Sequence, residues 1–200
     1  MVEENKPTVT AETAAPKRSF TRILKRIFIA LVVIVGALAG IVALQPDEFR
    51  IVRSATIAAP ADKVFAQIDD YHNWEAWSPW TKLDPAAKNT FEGPAAGKGA
   101  MFSWDGNADV GAGRMTTLES RPHELVKINL EFTRPMQDTS ITEFTFKPDG
   151  GKTVVTWSMS GRHTFLSKGF CLFMNMDKIV GGQFEEGLAN IRKIVETAGP

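Results

Sequence analysis

The chain has 200 residues, room for one ordinary domain and an appendage, with 23 basic and 23 acidic residues and a single cysteine. The balance hides an asymmetry: residues 1–26 carry six basic and three acidic groups, the remainder seventeen and twenty. A net-negative domain gives no electrostatic case for nucleic acid, and Cys171 has no partner in the chain for a disulfide.

Residues 1–22 are rich in Glu, Lys, Thr, Ala and Pro, without periodicity, and predict a disordered cytoplasmic tail. Ile27–Leu44 then reads IFIALVVIVGALAGIVAL, with no charge or strongly polar group. As a helix it spans roughly 27 Å, close to a hydrocarbon core of ~30 Å. Starting it at Ile23 gives ample length, with Lys25 and Arg26 snorkelling to the headgroups. A transmembrane helix over residues 23–44 is therefore predicted. The basic excess before it puts the N-terminus in the cytoplasm and the rest outside a plasma (inner) membrane. A cleaved signal peptide is the rival reading, with Ala37 and Ala39 as its small-x-small site; the long basic region and the apolar run beyond Gly36 favour the anchor. Gly36 and Gly40 form a GxxxG pair, a weak signal for self-association.

The external domain is predicted over residues 49–198. Phe49–Ala59 alternates as a strand, Pro60 opens a helix carrying Val64, Phe65 and Ile68, and a short helix holds Trp74 and Trp77 until Ser78-Pro79 interrupts it. Candidate strands follow at 89–91, 100–104 and 113–120. Leu125–Thr133 is the clearest: Val126, Ile128, Leu130 and Phe132 share one face and Lys127, Asn129, Glu131 and Thr133 the other, as in a sheet wet on one side. Strands at 140–146 and 153–160 flank KPDGGK, a hairpin signal. From about Phe170 to Thr197, Phe173, Met176, Val180, Phe184, Leu188, Ile191 and Val195 recur at helical spacing, with a break or kink expected near Gly181-Gly182. The order predicts an α+β fold, a curved antiparallel sheet of six to seven strands around one long C-terminal helix.

FRIVRSATIAAPADKVFAQIDDYHNWEAWSPW, with KGAMFSWDG, GAGRMTTLESRPHELVKINLEF, TVVTWSMSG and GGQFEEGLANIRK further on, resembles the SRPBCC superfamily in its polyketide cyclase/dehydrase-like branch. The resemblance covers roughly residues 49–198. It implies the helix-grip (START-like) fold, a curved sheet holding the last helix over a deep apolar cavity. Members bind lipids, hormones or polyketides, and some catalyse cyclisation.

Parity and helical spacing nominate Trp77, Trp104 (or Phe102), Phe132, Phe144, Trp157, Met159, Phe173, Met176 and Phe184 as cavity lining. The same residues suit a filled core. Trp74, Trp77 and Trp80 likewise either close one end of the core or, through Trp77, meet ligand at a cavity mouth. Arg114, Asp105, Arg162 and His163 lie at strand ends and read as solvated or paired. The three histidines are far apart, with no i,i+4 pair, and no GxSxG or Gly-Lys-Ser/Thr loop occurs, so no metal, cofactor or catalytic constellation is predicted. The leading expectation is a membrane-anchored extracytoplasmic domain that binds an apolar small molecule or lipid between sheet and helix. The alternatives are a cyclase/dehydratase-type enzyme and a filled-core scaffold module acting through its surface.

Overall fold

A computed structural model describes residues 17–197, with side chains described from Thr21 onward. Two compact units meet in sequence at Leu44 and Gln45. The first contains helix α1, Lys17–Ala43. The tail expected over residues 1–22 lies outside the described residues as far as residue 16, and from Lys17 the chain is already helical. Thr21–Ala43, 23 residues, is long and apolar enough to cross a membrane, a property shared by anchors and signal sequences. At ~1.5 Å per residue it is about 35 Å long.

The second unit opens with strand β1 (Glu48–Ile57) and helix α2 (Ala61–Asp69). A 3-10 turn over Tyr71–Asn73 leads into the short helices α3 (Trp74–Trp77) and α4 (Pro79–Leu83). Six strands follow: β2 (Lys88–Glu92), β3 (Met101–Asp105), β4 (Ala112–Arg121), β5 (Leu125–Arg134), β6 (Asp138–Asp149) and β7 (Lys152–Arg162). Helices α5 (Phe165–Cys171) and α6 (Met176–Thr197) end the described chain. The sheet is antiparallel throughout, in the order β1-β7-β6-β5-β4-β3-β2. Gly150 and Gly151 turn the β6–β7 hairpin at φ 54° and 83°, the left-handed pair that a two-residue loop demands.

Strand alternation gives the sheet an inner and an outer face. Ile57, Ile128, Phe144, Val155 and Trp157 point inward and are buried. The outer face is polar, with Ser54 against Thr156 at 2.8 Å and Lys127 against Glu143 at 3.0 Å. Helix α6 covers the inner face with Phe184, Leu188, Ile191 and Val195, one apolar stripe at three- and four-residue steps. The break expected at Gly181-Gly182 lies instead at residues 172–175, and α6 runs unbroken through the glycines. Two contacts explain this. Asn175 Oδ1 accepts from Lys178 N at 2.9 Å, a side-chain cap that starts α6 there. Gly181, buried within the helix, lies against the Arg53 guanidinium.

Arg53 reaches Asp177 at 2.9 Å and Glu185 at 2.6 Å, joining β1 to the first turns of α6. The hydrogen bond from Arg53 holds the Asp177 carboxyl below the usual aspartate range. A carboxylate pKa depressed by folding stabilises the fold above its unfolded value, and that contribution disappears as pH falls through the folded one. We expect stability to decline on acidification below about pH 4, the unfolded aspartate value. Asp177→Asn should make that decline shallower, read from urea midpoints along a pH series.

Candidate ligand-binding face

The YHNWEAWSPW segment turns back on itself because Pro79 forces Ser78 into extended backbone, at ψ 125°, between α3 and α4. The turn drives its indoles inward. Trp74 Nε1 donates to the Ile68 carbonyl and Trp77 Nε1 to the Gln67 carbonyl, both at 2.9 Å, so α2 anchors the pair. Trp77 is 1% exposed and lies within the core. Trp157 forms the hub. It stacks on Phe184 at 4.0 Å between ring centroids, with Phe144 at 4.6 Å and Trp77 at 5.8 Å. Where Gly187 of α6 passes this hub, an added Cβ would stand 2.9 Å from the Trp157 ring, so glycine permits the approach. Trp157 Nε1 is buried with no hydrogen-bond partner.

The nine residues nominated from sequence therefore fall into three sets. Trp77, Phe144, Trp157 and Phe184 are packed together in the interior. Trp104, Phe132 and Met159 are half-buried on the inner face. Phe173 and Met176 are at the surface, 83% and 37% exposed: Phe173 falls in the break at 172–175, and Met176, the first residue of α6, precedes the part of the helix that is buried.

The second set defines the candidate site. Trp104 and Phe132 meet edge to face at 5.5 Å, and the Trp104 indole, fixed by a 3.1 Å bond from Nε1 to the Val110 carbonyl, lies over Gly113. Phe102 stacks beside Trp104, and Leu130 shares the floor. Parity in β5 already pointed to Leu130. Ser140 is buried at the β6 end of this floor, opposite Leu130 and Gly161. It was missed because a small polar residue leaves no mark in an apolar alternation. An open depression of about 810 Å³ adjoins the floor at Phe132, Ser140 and Gly161. Most of the rest of its lining, including Ser103, Arg114, Glu131, Ile141, Ser160 and Arg162, belongs to the outer face, so the depression wraps the end of the sheet and opens mainly on the polar side. Arg114 and Glu131 stand 3.7 Å apart there, both partly solvated.

Burial, opposed by the hydrogen bond with Thr117, pushes the Tyr71 hydroxyl well above its usual range, and Thr117 Oγ1 donates to it at 2.9 Å. His72 Nδ1 lies 2.7 Å from Asp70 Oδ1 beside a smaller depression of about 210 Å³, lined by Tyr71, Phe91 and Met101 among others. Among the described residues no three of His, Cys, Asp and Glu come together as a metal-ligand set.

A fold with this sheet order, last helix and half-open inner face defines a class, and residues 48–196 match the family model described as polyketide cyclase / dehydrase and lipid transport. The chain belongs to that family. The fold is similar to the di-domain ARO/CYC StfQ of the steffimycin biosynthetic pathway, with a TM-score of 0.56 and 11% identity over 76% of this chain and 52% of that one. A protein from Mesorhizobium loti gives 0.55 and 15%, covering 76% of this chain and all of its own. One from Chromobacterium violaceum gives 0.51 and 16%, covering 76% of this chain and 99% of its own. No curated protein matches the chain significantly.

Proposed function

We propose that residues 48–196 form an extracytoplasmic domain, held at the membrane by α1, that binds an apolar small molecule or lipid on the uncovered inner face of the sheet. The observation that carries this is the floor of Trp104, Leu130, Phe132 and Met159, apolar side chains only partly buried where inner-face residues under α6 are fully buried. Apolar surface removed from water contributes about 25 cal/mol per Å², and Ser140, on the same inner face, is placed to orient a polar end. The family description, which includes lipid transport, supports the same reading.

The test is native mass spectrometry and lipid extraction of the full chain purified in detergent. We expect a co-purified apolar molecule. A phenyl ring giving about 100 Å² to a ligand contributes ~2.5 kcal/mol. Phe132→Ala should therefore reduce binding well over tenfold. An empty wild-type protein, or a variant that binds as well as wild type, overturns the proposal. A cyclase-type reaction has one narrower observation in its favour, the His72–Asp70 pair, which would set an imidazole against a substrate held in the smaller depression.

A further inference from the structure

Helix α5 is amphipathic the wrong way round for a domain surrounded by water. Phe165, Leu166 and Phe170 are 50–60% exposed, and Phe173, one turn beyond, is 83% exposed. At 100° per residue, positions 165, 166, 170 and 173 fall on one side of a helix, and Met174 N still bonds the Phe170 carbonyl at 3.0 Å, carrying the turn past Cys171. The opposite side carries the helix's charge: Lys168 is 7% exposed and its Nζ pairs with Asp47 Oδ1. An apolar face turned outward with its lysine turned inward is the reverse of the pattern by which surface helices pack on a core.

What covers this face is indicated by where α5 is fastened. Asp47 holds it twice, through the carboxylate to Lys168 and through its carbonyl, which accepts from His163 N at 2.7 Å just before α5 begins. Asp47 follows the last residue of the apolar helix, Ala43, by four residues, a chain length that reaches at most about 14 Å. If α1 crosses a bilayer it ends at the bilayer surface, and α5, tied to the junction, lies within reach of the same surface. A lid over the inner face would turn these rings inward, whereas they are turned out. Asp47 faces two cations, Lys168 and, at 3.9 Å, Arg162, so the cluster carries no net negative charge to repel a bilayer, and the exposed rings supply the apolar attraction.

We infer that α5 and Phe173 dock into the bilayer interface, holding the domain on the membrane at a second point. The inference rests on the anchoring reading above and goes beyond it. It is tested with the full chain reconstituted in phosphatidylcholine vesicles. Cys171→Ser clears the single thiol, and a polarity-sensitive fluorophore is attached through Phe173→Cys or, as control, Glu186→Cys on the exposed side of α6. The expected result is blue-shifted emission at 173, quenched by nitroxides carried on the lipid, with position 186 remaining aqueous. Emission at 173 as aqueous as at 186, in chains that alkaline carbonate does not extract, overturns the docking and leaves the anchor standing. A blue shift that lipid nitroxides do not quench also overturns it, because the face is then covered by protein. Chains extracted by carbonate refute the anchor, and the docking falls with it.

Discussion

Replacing Trp157 by alanine is expected to lower the unfolding free energy by about 3–5 kcal/mol, as removal of a large buried aromatic does when its surroundings cannot collapse. Collapse is blocked here because the indole is gripped on several sides: Phe184 stacks on it at 9°, Phe144 tilts against it, and Trp74, Trp77 and Trp80 present their edges. The sheet supplies the wall behind, since Trp157 stands between Arg53 on β1 and Phe144 on β6. Trp157→Phe should be much milder. It loses part of the ring but also removes the buried Nε1–H that has no acceptor, a group whose desolvation costs about 1–3 kcal/mol. Urea unfolding of the full chain in detergent measures both variants. A Trp157→Phe protein as unstable as Trp157→Ala would show that the indole nitrogen finds a partner in solution.

The second large effect separates two glycines of one helix. Gly182→Ala is expected to stabilise by up to about 1 kcal/mol, the difference in helix propensity, because nothing stands within 4 Å of the new methyl group. Gly187→Ala gains the same propensity and loses more. Its methyl would stand 2.9 Å from the Trp157 ring and 3.5 Å from both Pro79 and the Trp77 ring, and those groups are locked by the aromatic cluster. Overpacking of this kind costs typically 1–3 kcal/mol, so the net change should be destabilising. Thermal melts of the two variants side by side check the sign. Stabilisation of both would mean that α6 can lift from Trp157 without loss.

The architecture was legible where one physical signal dominates. Alternation in β5 marked its buried and wet faces, KPDGGK marked the β6–β7 turn, and the repeat from Phe184 to Val195 marked the covering stripe of α6. The start of α6 was not legible, because Phe173 and Met176 keep the apolar repeat going and only the Asn175 side chain, satisfying Lys178 N, shows where the helix begins. Helix α5 was hidden for a related reason: its apolar residues face out, so they merge into the periodicity of the next element. The site was half-legible. Inward parity selects large apolar side chains whether they line a hollow or fill it, and only packing tells Trp157, stacked on Phe184, from Phe132, only partly buried.

The position of β1 has a consequence for how the domain comes into being. It is the first strand to leave the ribosome, yet it is a sheet edge whose neighbour is β7, with Ile57 opposite Thr153 and Glu48 opposite Arg162. Roughly a hundred residues must therefore be synthesised before it finds its mate, a wait of about 5–20 s at ordinary elongation rates. During that interval a newborn ribbon bearing Ile51 and Ile57 stays single, and the newly made protein depends on chaperones, or on its own early hairpins, to keep that ribbon from a wrong partner.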